Sequence, residues 1–375
     1  CVQMNISLSH NNLEIMEKRL ASIAHRFPWV QMVVFSELAA LGPDPQHAQP
    51  IPGPTENLFC EMAKRYGLWL LPGSIFEIYN NLLYNTASVI NPLGEVVGRY
   101  RKMFPFRPYE IGVESGTEFL VFDVPDVGRF GVSICYDMWF PETTRTLVSM
   151  GAEVILHPTM TDTIDRDVEL PIARATAAIN QCYFFDINGC GECGNGRSII
   201  VGPSGYVIHE SGSGEEVMPV EINLERVRRE RETGIRGLGQ PLKSFRDHQT
   251  EFTVYHPEKF DHSYLNSLGP LTIAVRPHTI AAPLTEAYRE PLIPSEPAAY
   301  VADPGLIPVE PLPEVGLTAV EPLPEVGLAA VEPLPAVGIA PIEQIPAPAP
   351  AAVAIHSEAA AEKKPGSLWK RIKKT

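Results

Sequence analysis

Up to Glu232 the apolar positions fall into short continuous runs that alternate with stripes of helical spacing. Val2 to Leu8 reads as a strand. Leu13, Met16, Leu20, Ile23, Ala24 and Phe27 then share one helix face. Met32 to Phe35 is a buried strand that ends at Ser36-Glu37. Pro54 suits the first turn of a helix and Gly67 its stop. Leu68 to Phe76 and Tyr84 to Ile90 read as strands, and Asn91-Pro-Leu-Gly94 as a turn. Val96 to Arg101 returns as a strand that runs out at Lys102. Phe119 to Val124 and Phe130 to Cys135 flank Asp126-Val-Gly128, a hairpin signal. A helix follows, with Pro141 at its start and Gly151 at its stop, and then the apolar run Val154-Ile-Leu-His157. Leu170 to Gln181 reads as a helix and Tyr183 to Asn188 as a strand. A Gly-rich loop separates these from Ser198 to Val201, Tyr206 to His209, a last strand at Val217 to Ile222 and a charged helix at Leu224 to Glu232. Strands that alternate with helices and hairpins predict a layered α/β domain.

Three polar residues share one address in this pattern. Glu37, Lys102 and Cys135 each sit on or just past the carboxyl end of an apolar strand, the edge where ligands and chemistry lie in open α/β sheets. A lone Glu or Lys at a strand end is ordinarily a solvated rim residue, so the functional reading rests on convergence of the three. A thiol is a weak nucleophile at its free pKa of ~8.5 and needs a base or a positive charge beside it. Glu37 supplies a base whose pKa rises on burial, and Lys102 a fixed positive charge. The backbone N–H of Tyr136 supplies an oxyanion donor next to the nucleophile.

Composition narrows the classes. A net charge of -15 argues against a nucleic-acid binder, which needs a basic stripe. The 6 cysteines are scattered rather than arranged as a disulfide framework, which fits a reducing, cytoplasmic setting. No apolar run reaches the ~18 residues of a membrane span, and Cys1-Val-Gln-Met-Asn is not a signal-peptide start. The chain opens inside a strand pattern, which suggests an upstream piece. Cys190-Gly-Glu-Cys193 is a single C-x-x-C without a second pair, a poor zinc site. It reads as a loop with free thiols or as a redox or substrate contact.

The residues at the three strand ends resemble a known family. Phe35-Ser-Glu37-Leu, Tyr100-Arg-Lys102-Met-Phe-Pro and Ile134-Cys135-Tyr-Asp-Met-Trp-Phe-Pro-Glu142 are similar, in that order, to the signature blocks of the nitrilase, or carbon–nitrogen hydrolase, superfamily. Similarity continues through Arg174 to Asn180, Tyr183 to Asn188 and Ser198 to Gly205. The resemblance implies a four-layer α-β-β-α sandwich and a Glu-Lys-Cys triad on Glu37, Lys102 and Cys135. It also implies a second glutamate at Glu110 that orients the amide and the attacking water, as in aliphatic amidases and formamidases; a surface carboxylate is the plain alternative. Cys135-Tyr-Asp137 departs from the Cys-Trp-Glu of true nitrilases and points to amidases and carbamoylases. The expected activity is hydrolysis of a small amide through a thioester, with no metal or organic cofactor, in at least a homodimer. Tyr136, Trp139 and Asn188 are expected to line the pocket, or to be ordinary packing. A carbamoylase, an acyl-transferring relative or an idle fold used as a scaffold are the other readings.

The 37 prolines are lopsided. Residues 1–280 have globular composition and are expected to form the hydrolase domain with a C-terminal arm. From Ala281 Pro, Ala, Val and Glu dominate. Gly305, Gly316, Gly327 and Gly338 open copies of an eleven-residue unit containing Glu-Pro-Leu-Pro in its first three copies. The prolines exclude a continuous helix, so 281–362 reads as a Pro-rich, disordered linker. In a helix, Leu368, Trp369 and Ile372 of the basic 363–375 peptide would share a face, which suits a protein partner or tether. Deleting 363–375 is expected to change localisation or partner binding and to leave turnover intact. Unchanged localisation by fluorescence microscopy, with unchanged pull-down partners, would count against a tether.

Overall fold

The computed structural model describes residues 1–8, 12–249, 251–256 and 258–273. The 281–362 segment and the 363–375 peptide lie outside the described residues. The chain opens with β1 (Val2–Gln3), α1 (Leu13–Arg26), β2 (Met32–Val34), α2 (Pro54–Tyr66) and β3 (Trp69–Leu71). Antiparallel strands β4 (Ile75–Tyr79), β5 (Leu82–Ile90) and β6 (Val96–Arg101) follow, then the hairpin β7 (Leu120–Val124) and β8 (Gly128–Val132). Next come α3 (Pro141–Ser149), β9 (Val154–Thr159), α4 (Arg166–Asn180) and β10 (Tyr183–Asn188). The remaining elements are β11 (Ile199–Val201), β12 (Val207–Glu210), β13 (Glu216–Val217), α5 (Leu224–Thr233), α6 (Pro241–Asp247) and α7 (Ser263–Ser267).

Two sheets result. One runs β2-β3-β5-β4 with β6 on β5, the other β12-β11-β10-β9-β8-β7, while β1 pairs with β13. Neighbouring residues on one strand are buried in different layers, because side chains alternate across a sheet. Val34, Leu156, Phe185 and Ile200 face the other sheet, in a core shared with Val132, Ile134 and Tyr100. Val33 and Leu70 face outward and meet Met16, Leu20, Phe59 and Met62 of α1 and α2. Ile155, Phe184 and Ile199 meet Leu147, Val148, Ala173 and Ala177 of α3 and α4. Three apolar layers separate four structural ones, which is the α-β-β-α sandwich. Strands buried on both faces are also why these segments read as unbroken apolar runs.

Several boundaries differ from the sequence pattern. The Val2–Leu8 run keeps Val2, Met4 and Ile6 fully buried. Past Gln3 its backbone leaves β13 and bonds to Cys190 instead. Val217 to Ile222 is a strand only through Val217, since Pro219 has no N–H to offer a ladder. α4 starts at Arg166 rather than Leu170, and Pro171 sits inside it. Its first turn is fixed by the buried Arg166, which pairs with Asp186 at 2.7 Å and Glu169 at 3.1 Å. Among the described residues no helix is long and apolar enough to cross a membrane.

The predicted strand Leu68–Phe76 is split into β3 and β4 by Pro72-Gly73. Gly73 has φ +84°, and a Cβ there would lie 1.8 Å from the Ser36 carbonyl oxygen. The turn therefore packs directly on the backbone that leads into Glu37. Gly73→Ala is expected to lower stability by at least about 1–3 kcal/mol, read as a reduced urea midpoint with an unchanged slope. An unchanged midpoint would show that the turn tolerates a side chain.

Candidate active site

The two sheets bring three strand ends together. β2 ends just before Ser36-Glu37. The Glu37 N–H donates to the Thr159 carbonyl on β9 at 3.3 Å, and the Leu38 N–H to the Ser74 hydroxyl at 3.1 Å. Glu37 is thereby fixed between the sheets, 1% exposed. Its Oε1 accepts the Asn85 amide at 2.7 Å and the Lys102 ammonium at 2.9 Å.

Lys102 follows β6. Its own N–H donates to the Asn85 carbonyl at 2.8 Å. Its side chain is 1% exposed, and Nζ also reaches Glu110 Oε2 at 2.9 Å. Glu110 comes from the loop after β6, where its carboxylate also accepts the Phe106 N–H and its own N–H donates to the Phe106 carbonyl. The ammonium is thus clamped between two carboxylates. Burial would lower the Lys102 pKa, but Glu37, Cys135 and Glu110 outweigh it and hold it well above the ordinary lysine value. Lys102 is a permanent cation in an apolar setting.

Cys135 opens a single 3-10 turn, Cys135–Trp139, beyond β8. Its φ of 48° lies in the left-handed region, a strained position for a side-chain-bearing residue. The thiol is buried and close enough to the Glu37 carboxyl and the Lys102 ammonium for both charges to act on it. Burial, and then the Glu37 charge, push the Cys135 pKa up against the pull of Lys102. Burial also raises the Glu37 carboxyl, with Lys102 opposing and Glu110 adding to it. The resting state is a neutral thiol beside a proton-hungry carboxylate, and the pair can exchange a proton. The first N–H groups of such a turn have no partner within it, which leaves that of Tyr136 a donor beside the sulfur.

The four residues expected to carry chemistry meet here. The expected pocket residues divide. Tyr136 and Trp139 are half-buried, and Tyr136 packs edge-on against Phe106 at 4.9 Å and Phe140 at 5.3 Å. They belong to an aromatic rim beside Cys135. Asn188 is fully buried. Its amide accepts the Thr161 N–H at 2.8 Å and donates to the Thr161 and Gly196 carbonyls at 2.9 and 2.8 Å. Its side chain orders the loops after β9 and β10 and is not free to take a ligand. Cys190 and Cys193 are buried free thiols, Cys190 pushed up to about 11 by burial, a poor setting for redox chemistry at neutral pH.

The sequence pattern passed over Asn85 and Asp137. Asn85 is a fully buried amide inside the apolar run of β5, and that breach of the pattern was the available signal. Asp137 ties the Cys135 turn to the segment after Lys102. Glu169 and Arg166 form a second buried ionic group whose carboxylate also opposes ionisation of Cys135.

A family model described as carbon-nitrogen hydrolase matches residues 1–232. The chain is 34% identical over 198 residues to the omega-amidase NIT2-A of Xenopus laevis, covering 48% of this chain and 71% of that protein. It is 32% identical over 216 residues to the N-carbamoylputrescine amidase of Solanum lycopersicum, covering 49% and 69%. Among solved structures it is similar to Saccharomyces cerevisiae Nit3, a member of branch 10 of the nitrilase superfamily. That match has 26% identity and a TM-score of 0.57, over 62% of this chain and 91% of that one.

Removing the buried cation tests the electrostatics of the site. Lys102→Met leaves the Glu37 carboxylate buried without its partner, a change that costs about 3–5 kcal/mol. The Glu37 pKa, already raised, rises further, so the folded state holds a proton that the unfolded chain has released. The loss therefore grows as pH rises above the ordinary carboxylate value of ~4.3 and shrinks in acid. Urea denaturation is expected to show a wider gap from wild type at about pH 8 than at about pH 5; a gap that widens in acid would contradict this electrostatic account.

Proposed function

Because the chain belongs to the carbon-nitrogen hydrolase family, we propose that it hydrolyses the C–N bond of a small, aliphatic amide through an acyl-Cys135 thioester. The observation that carries this reading is the contact set Cys135–Glu37–Lys102–Glu110 at one edge of the sandwich. Cys135 Sγ attacks the carbonyl carbon as its proton passes to Glu37. The Lys102 ammonium and the Tyr136 N–H hold the oxyanion. Collapse of the tetrahedral species breaks the C–N bond, and Glu37 gives its proton to the leaving nitrogen. Water then adds to the thioester, Glu37 takes its proton and returns it to sulfur, and the acid leaves. Glu110 positions the amide and the water. No step needs a redox change, and Glu37 alone shuttles the proton.

The aromatic rim of Phe104, Phe106, Tyr109, Tyr136, Trp139 and Phe140 supports an apolar acyl portion. The similarity to an N-carbamoylputrescine amidase supports carbamoyl compounds as the second substrate class.

Ammonia release from a panel of aliphatic amides, N-carbamoyl compounds and nitriles tests the reading. Release from aliphatic amides is expected, with a loss of at least about 1,000-fold in Cys135→Ala and about 100-fold in Glu110→Gln, the cost of a misplaced substrate or water. Release only from carbamoyl compounds would move the substrate class. Release that persists in Cys135→Ala would sink the thioester chemistry.

A further inference from the structure

Asp137 lies two residues past the thiol and takes no part in the hydrolysis set out above. It is fully buried, and donors from separate segments converge on its carboxylate. Oδ2 accepts the Tyr100 hydroxyl at 2.7 Å and the Ile134 N–H at 2.8 Å. Oδ1 accepts the Phe104 N–H at 2.8 Å. Tyr100 belongs to β6, Phe104 to the segment just beyond Lys102, and Ile134 immediately precedes Cys135. One carboxylate therefore ties the segment that carries the ammonium to the turn that carries the thiol. The tie is backed on both sides. Phe104 stacks on Phe140 with ring centroids 3.6 Å apart, and the Asp137 carbonyl accepts the Thr143 hydroxyl of α3 at 2.8 Å.

We propose that Asp137 is a positioning residue that sets the separation of Lys102 from Cys135, and that it does so only while ionised. This rests on the thiol-hydrolase reading of the site. The donor set is the reason for the second half. All three partners present a hydrogen to the carboxylate. The two backbone N–H groups cannot accept one. A protonated Asp137 would bring a fourth hydrogen into this pocket; only the Tyr100 oxygen can accept it, and the Tyr100 hydroxyl must then give up its own bond to the carboxylate. The titratable groups facing Asp137 are Tyr100 and Lys102 from the β6 side; the turn presents the Ile134 N–H and α3 the Thr143 hydroxyl.

Burial raises the Asp137 carboxyl from 3.8 to about 6, against the pull of Ile134, Tyr100, Phe104 and Lys102. The sign separates geometry from stability. As pH falls through about 6, the folded protein takes up a proton that the unfolded chain does not. This group then adds to stability while the tie is lost. Loss of site geometry in mild acid without loss of the fold is the expected signature.

Alkylation of Cys135 by iodoacetamide, resolved by peptide mass and followed across pH on the full chain, reads the thiol's environment without any substrate. It therefore separates this proposal from the amide-hydrolase reading. Asp137→Asn has the same shape and cannot ionise. It is expected to stay folded with a lowered melting temperature, because its NH2 faces buried donors, and to slow Cys135 alkylation about tenfold, the effect of about one pKa unit on the thiol. Where an amide is turned over, kcat is expected to fall about 100-fold, with KM changed by less than about threefold. A folded Asp137→Asn that alkylates at the wild-type rate overturns the proposal. Tyr100→Phe decides the matter if that variant does not fold. It keeps the carboxylate and removes one donor, so the acid limb of the alkylation profile is expected to move to higher pH. An acid limb that stays in place overturns the proposal. Silence across every amide, together with the slowed alkylation in Asp137→Asn, would remove the hydrolase reading and leave Asp137 as the device that fixes Lys102 against the thiol.

Discussion

A lysine ammonium with 1% of its side chain exposed is the constraint on which the rest of the site depends. Desolvating a single charge costs several kcal/mol, and the fold tolerates it only with close, well-aligned counter-charges. Glu37 and Glu110, each 2.9 Å from Nζ, provide them. The consequence runs both ways. The lysine draws the Glu37 carboxyl toward its ionised form, against the burial that raises its pKa. Burial, and then the Glu37 charge, keep the nearby thiol protonated against the pull of the ammonium. A base held beside an uncharged nucleophile follows from that balance rather than from any one residue.

The four layers exist to hold that balance in place. Each of the three residues stands just past a strand anchored in the core between the sheets, through Val34, Tyr100 and Val132. Glu37 is additionally tied to β9 through its N–H, Lys102 to β5 through Asn85, and the Cys135 turn to β6 and the segment beyond it through Asp137. The strained φ at Cys135 is affordable because the turn is bonded on every side. Placement by strands rather than by long loops keeps the ammonium, the carboxylates and the sulfur within contact of one another.

Much of this was legible in the sequence, and the reasons are particular. Continuous apolar runs at Val33-Val34, Ile155-Leu156 and Phe184-Phe185 marked strands buried on both faces, and polar residues at their ends marked the edge of the sheet. Glu37, Lys102 and Cys135 could be singled out by position, and the family resemblance added Glu110. What escaped was set by long-range bonds. The helix through Pro171 starts early because Arg166 is captured by Asp186, twenty residues on. The Leu68–Phe76 run breaks at Gly73 because the Ser36 carbonyl lies against it. Asn188 looked like a pocket residue at a strand end, yet the Thr161 and Gly196 backbones claim its amide. Asp137 looked like one more polar residue in a motif, and only the fold shows three donors from two segments meeting on it.

The central claim is that the strained thiol at position 135 becomes acylated. Rapid acid quenching of the protein during exposure to a small aliphatic amide, followed by peptide mass mapping, tests it most directly. The account predicts an acyl mass on the peptide that contains Cys135 and on no other cysteine peptide. Ammonia formed with every cysteine peptide unmodified, or an acyl group carried by a different residue, would contradict it.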